Sequence, residues 1–256
     1  MRHDLRIMLT PEEWRELSDG FGLTLADTTR PMIRSIAVSE LLDAQTCAAY
    51  LDWMARYIGA PSRRVAASML AKRYAYLLAA PAAYAMTKFG KALLPELDQC
   101  LLITPDPDHE PGRTRFPDLA LTDVQVSCPG LEGRDVWREE RLQQLFAGHL
   151  TPLLRSLSET AKVPIAVLWE NVFVRLAPLY AHSLGDTVHG LDDAMYLLHE
   201  ASPDLYGERR HPFARFIPGS SCDDLGMAAD ATRRTCCFYY EMSEEYCRKC
   251  PLPTMR

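Results

Sequence analysis

Apolar residues recur every three to four positions through most of the chain, a spacing that predicts a mainly helical protein. Thr10-Pro11-Glu12-Glu13 reads as a capping box with proline at the first helical position, opening a short helix through Leu17. A second helix is expected from Ser39, with Leu42, Cys47, Tyr50, Leu51, Met54 and Ile58 at helical spacing and Gly59 as its stop. Ser62 should cap a long helix through Leu70, Tyr74, Leu77 and Leu78, bent or broken near Pro81 and ended near Gly90. Another long amphipathic helix is expected from Val136 to Thr160, with Leu142, Leu145, Phe146, His149, Leu153, Leu154 and Leu157 on one face. A further helix begins near Pro164 and carries Trp169, Phe173, Leu176 and Tyr180; a short one covers Leu191 to His199.

Two segments read as strands instead. Leu97 to Thr104 and Leu119 to Ser127 flank a Pro/Asp-rich loop over Pro105 to Pro117, and Cys128-Pro129-Gly130 closes the pair. Ser202 to Asp224 is rich in Pro, Gly, Arg and Asp and reads as irregular chain. There is no internal repeat. The expected class is α+β: a mainly α-helical body with a small antiparallel sheet, over residues 1–224, and a C-terminal four-cysteine segment over 225–256.

Composition narrows the function classes. A chain of 256 residues can bury a full core, and its net charge of −6 argues against a nucleic-acid binder. Met1 to Met8 is polar and no apolar run follows it, so no secretory signal is expected. The most apolar stretch, Val65 to Met86, is interrupted by Lys72, Arg73 and Pro81, which argues against an integral membrane segment. The expected setting is a reducing cytoplasm, where stable disulfides are uncommon.

Against that background the tail stands out. Four of the eight cysteines lie in the last twenty-one residues, as Cys236-Cys237 and Cys247-x-x-Cys250. Four thiolates at one place can hold an iron–sulfur cluster or a zinc ion, or form a pair of redox disulfides. Tetracysteine zinc sites usually draw on two C-x-x-C knuckles, and only the second pair here has that spacing. Adjacent cysteines strain to reach one small ion, whereas a two-iron cluster offers targets further apart; four thiolates match the ligand count of [2Fe–2S], although neither common ferredoxin spacing is present. Arg233, Arg234, Arg248 and Lys249 flank the cysteines, either as solvated surface charges or as groups that raise the potential of a bound cluster.

The ending Arg233-Arg234-Thr235-Cys236-Cys237 with Cys247-x-x-Cys250 resembles the signature of the FhuF-like ferric-siderophore reductases. The likeness extends upstream through Leu168-Trp169-x-Asn171, the segment from Arg141-Leu142 to Pro152-Leu153, and Ser68 to Met86 with Tyr74 and Pro81. It implies that Cys236, Cys237, Cys247 and Cys250 hold a [2Fe–2S] cluster, and that the protein reduces Fe(III) bound to a siderophore, often of hydroxamate type. The family pattern has about ten residues between the second and third cysteines where nine stand here, a change that costs a surface loop little closure entropy.

Other residues carry weaker signals. Trp169 and Asn171 could line a siderophore site, but core packing and a helix cap explain them equally simply. Arg209, Arg210 and Arg215 could attract an anionic ferric complex or merely decorate a solvated loop. Cys47, Cys100 and Cys128 read as buried apolar groups, Cys222 as a spectator thiol near the tail, and His149 as a satisfied core histidine. No phosphate loop, Rossmann fingerprint or flavin motif is present, so the electron must come from an unidentified donor. Peripheral association with an importer at the inner membrane face is compatible with the sequence. The rival readings are a non-redox siderophore-handling protein and a zinc-stapled binding module.

Overall fold

The computed structural model describes residues 8–27, 29, 31–106, 108, 115–217, 219 and 222–252. Nine α-helices, with the π-helical and 3-10 segments that adjoin them, carry most of the described chain: α1 (Pro11–Phe21), α2 (Ala44–Ile58), α3 (Arg63–Tyr74), α4 (Ala80–Phe89), α5 (Arg134–Leu145), α6 (Thr151–Ala161), α7 (Ile165–Leu179), α8 (Gly190–Met195) and α9 (Cys222–Asp230). The expected N-terminal capping box is present, with the Thr10 N–H donating to Glu13 Oε2 at 2.6 Å and the Glu13 N–H to Thr10 Oγ1 at 3.2 Å.

The expected break at Pro81 takes a different form. α3 and α4 are continuous through a π-helical segment, Ala75–Ala79. Proline lacks an N–H and its ring crowds the carbonyl four residues back, here Leu77. Widening that turn relieves the clash without ending the helix. Pro152 follows a second such segment, Phe146–Leu150, which joins α5 to α6. The expected helix from Val136 to Thr160 therefore runs unbroken, and every apolar residue assigned to its inner face is buried. His149 lies there too: its Nδ1–H donates to the Pro95 carbonyl at 2.7 Å and its Nε2 accepts from the Tyr74 hydroxyl at 2.5 Å. Burial holds its pKa down at about 4.

Other boundaries shift for local reasons. The second helix starts later than Ser39, because Val38–Leu42 forms a 3-10 turn and Asp43 caps α2 by accepting from the Thr46 N–H at 2.8 Å. Leu42, counted above among core positions, is exposed. The first expected strand begins only at Cys100, as β4 (Cys100–Pro105), and the second splits into β5 (Asp118–Leu121) and β6 (Val126–Ser127). The loop between β4 and β5 falls largely outside the described residues. Three strands were illegible: β1 (Thr24–Leu25), β2 (Met32–Ala37) and β3 (Ala92–Leu93). The main sheet runs β1-β5-β4-β2, with β4 antiparallel to both neighbours and β1 parallel to β5; β3 and β6 form a separate antiparallel ribbon. Within Ser202 to Asp224 the described chain is irregular as expected, apart from the short 3-10 turn Pro203–Tyr206 and the start of α9.

α7 is the centre of the body. α3, α4, α6 and α9 all pack on it, and the run Val167 to Phe173 is buried without interruption. A helix apolar on all sides belongs inside a fold. That makes its polar members, Glu170, Asn171 and Arg175, the informative ones.

Candidate functional site

Glu170 is 2% exposed. Its carboxylate accepts the backbone N–H of Arg234 at 2.6 Å and of Thr235 at 2.9 Å, takes the Thr235 hydroxyl as well, and lies 3.4 Å from Arg233 Nε. One buried carboxylate thus clamps the three residues that precede Cys236. Asn171, one residue on and fully buried, donates to the Ser68 carbonyl and hydroxyl at 2.9 and 3.1 Å. The Ser68 hydroxyl in turn donates to the Cys237 carbonyl at 2.9 Å. A third anchor joins Arg64 to Glu241 at 2.6 Å, with the Arg64 guanidinium 4.5 Å over the Phe238 ring. Two links fold the tail on itself: the Arg233 N–H donates to the Lys249 carbonyl at 3.0 Å, and the Cys250 N–H to the Cys247 carbonyl at 2.9 Å.

These links bring the two cysteine pairs together. Cys237 and Cys250 are buried, and Cys236 and Cys247 are half-buried. The thiols of Cys237 and Cys247 are in hydrogen-bond contact. That shared proton holds Cys237 down at about 5, helped by Arg233 and Lys72, and pushes Cys247 up. Burial raises Cys236, which also feels the charge of Cys237 and Cys250. Directly after the pair, Phe238 adopts a left-handed backbone (φ 65°) rare for a side chain with a Cβ, and its N–H donates to Cys236 Sγ at 3.3 Å. Among the described residues, no three histidine, cysteine or acidic side chains are gathered tightly enough to hold one metal ion.

Positive charge surrounds this sulfur. Lys72 on α3 is mostly buried, interacts with Cys237 and Cys247, and makes no ion pair with a carboxylate among the described residues; burial lowers its pKa. The Arg233 side chain is 2% exposed, yet Nη1 and Nη2 find no hydrogen-bond partner. A cleft of about 510 Å³ opens alongside, with Lys72, Arg175, Arg233, Cys247, Arg248 and Lys249 in its wall. Asp230 is the one carboxylate in that lining, and it lies 3.3 Å from His182.

Trp169 and the loop arginines lie elsewhere. Trp169 belongs to an aromatic cluster with Phe146, Tyr206 and Phe213, and its Nε1–H donates to Glu208 at 3.3 Å. It lines a second cleft of about 720 Å³ together with Arg209, Arg210, His211 and Arg215, and no cysteine. Asn171 is neither a cap nor a wall of either cleft but a tail anchor. Cys47 and Cys100 are buried as expected, Cys128 is half-buried, and the Cys222 side chain lies outside the described residues. Two residues that position the tail, Ser68 and Glu170, were given no role in the sequence. A signal existed: ionisable residues in an otherwise apolar helix demand buried partners.

A comparison with curated proteins gave no significant match. The family described as ferric iron reductase FhuF-like transporter matches residues 68–219, more than half of the chain. The match begins at the serine that holds Cys237, spans Glu170, Asn171 and Arg175, and stops short of the cysteines themselves. No described helix is long and apolar enough to cross a membrane. By the extent of this match, the chain belongs to the FhuF-like ferric iron reductase family.

Proposed function

We propose that the protein is a cytoplasmic ferric-siderophore reductase whose residues Cys236, Cys237, Cys247 and Cys250 hold a [2Fe–2S] cluster. The observation that carries this reading is the pairing of four neighbouring thiols with two cations, buried Arg233 and half-buried Lys72, that lack full compensation. A buried uncompensated cation is costly. Four thiolates around two irons form an anionic group, and these cations would answer its charge. The unpartnered Nη atoms of Arg233 supply donors for its sulfur atoms.

When bound, such a cluster delivers one electron at a time. The protein's own groups do the rest. The four cysteines hold it, Glu170, Asn171 and Ser68 fix the cysteines against α7 and α3, and the cleft beside Cys247 receives the ferric chelate. Nearby cations raise the cluster's potential by favouring the more negative reduced state. Ferric iron is hard and tightly held by oxygen donors, while ferrous iron is held weakly, so one electron releases it. Residues 1–224 act as the docking body and 225–256 as the cluster-bearing segment. The electron reaches the cluster from a separate donor.

The test is an absorption and EPR spectrum of protein purified without oxygen, before and after dithionite, with iron, sulfide and zinc analysis. A brown protein that bleaches on reduction with an S = 1/2 signal, and loses colour and ferric-chelate reduction together in Cys247→Ser, is expected. A colourless protein with stoichiometric zinc overturns the proposal.

A further inference from the structure

The resemblance to hydroxamate reductases leaves open what charge of ferric chelate this chain accepts. We infer that the cleft beside Cys247 binds ferric chelates of net negative charge, built from catecholate or hydroxycarboxylate donors, in preference to neutral tris-hydroxamate complexes. The inference rests on the reductase reading of the same site.

The argument is one of charge. Of the five cationic side chains in the wall, Lys72 and Arg233 face the thiols and are engaged by the cluster. Arg175, Arg248 and Lys249 remain. Arg175 is mostly buried on α7, its ring neighbour is Tyr76 at 5.4 Å, its Nε has no hydrogen-bond partner, and it makes no ion pair with a carboxylate among the described residues. Its other charged neighbours, Arg73 and Arg233, are themselves cations. Asp230 cannot compensate all three, since it also faces His182. A half-buried guanidinium and a half-buried ammonium group, with exposed Arg248 at their edge and one carboxylate among them, are placed to receive an anion.

Chelate chemistry then discriminates. Three hydroxamates cancel the charge of Fe(III) and leave a neutral complex, which gains little from this wall. Three catecholates leave three net negative charges, and ferric citrates are also anionic. Accepting one electron from the cluster reduces Fe(III) to Fe(II) and makes the chelate more negative by one charge. The same cations therefore favour the product of electron transfer over its reactant.

Gallium(III) matches Fe(III) in charge and size but is not reduced, so it isolates binding from electron transfer. The cluster-loaded protein is titrated calorimetrically with the gallium complexes of a synthetic tris-catecholate, of citrate, and of a linear tris-hydroxamate. The tris-catecholate is expected to bind at least about tenfold more tightly than the hydroxamate, with the margin shrinking as salt rises. Arg175→Gln should abolish most of that margin, and so should Lys249→Gln, a half-buried site where folding is not at issue. Tight citrate binding alone would assign the hydroxycarboxylate class. Equal affinity for neutral and anionic complexes, or preference for the hydroxamate, in protein with full cluster content overturns the inference while leaving the reductase reading intact. Tight binding of gallium tris-catecholate with no reduction of its ferric counterpart overturns the reductase reading instead.

Discussion

The two clefts on either side of α7 differ in what their arginines do. The larger, of about 720 Å³, sets Arg155, Arg209, Arg210 and Arg215 around an aromatic wall. One of these, Arg155, is balanced by Glu208 at 3.3 Å, and the side chains sit at a rim where water can solvate them. The smaller, of about 510 Å³, holds Arg233 in the interior beside sulfur with its Nη atoms unpartnered, and half-buried Arg175 next to it. Charge at a rim is cheap and uninformative, whereas charge buried without a partner has to be explained by something that binds. Volume ranks the clefts one way and electrostatics the other, and the proposed function follows electrostatics.

The comparison can be broken most forcefully at Glu170. Glu170→Gln keeps the shape but leaves Arg233 buried without its carboxylate and weakens the hold on Arg234 and Thr235. A loss of about 3 kcal/mol is expected in urea unfolding, with reduced cluster retention. An unchanged midpoint would mean that the tail is not clamped there. Acid titrates histidines whose pKa burial holds down, His149 in the body and half-buried His211 in the wall of the larger cleft. Because His149 has a folded pKa of about 4 against an ordinary 6.5, its contribution is complete above pH 6.5 and is lost as pH falls toward 4. Stability should drop by about 3 kcal/mol over that interval. His149→Gln should lessen the drop by about that much and leave the part that His211 contributes over the same interval, and a wild-type curve already flat there would refute the assignment. The smallest effect belongs to the larger cleft. Arg209→Gln with Arg210→Gln should change ferric-chelate reduction by less than about twofold, because rim charges are screened by salt. A large loss would move the substrate to the Trp169 side.

How much of this was written in the sequence depends on the range of the interaction involved. Thr10, Gly59 and Gly90 act within one turn of their own helix, and their signals were legible. The inner face from Leu142 to Leu157 was equally plain, because periodicity reports burial directly. β2 was missed because Met32–Ala37 shows no clean alternation, its register being set by distant Cys100–Pro105 and shifted by a bulge. Pro81 was read as a break because a π-helical turn leaves no signature of its own in the residues. At the site, the spacing of the cysteines was visible but their supports were not. Ser68 lies 169 residues from the carbonyl it holds, and Glu170 lies 64 from the first N–H it accepts. Trp169, read as either a pocket residue or core, packs in an aromatic cluster that lines the larger cleft, on the other face of its helix from the tail, since neighbouring residues on a helix point in different directions.

The anchors of the tail also impose an order of assembly. Ser68, Glu170 and Asn171 all precede the cysteines in the chain and belong to helices whose packing is internal to the body. During synthesis the earlier segments emerge and fold first. The cysteines then arrive at a surface already shaped to receive them, with the Glu170 carboxylate and the Ser68 hydroxyl waiting for backbone partners. On the proposed reading, cluster loading thereby becomes a checkpoint on the finished body: a chain whose central helix is misplaced has nowhere to fasten its cysteines.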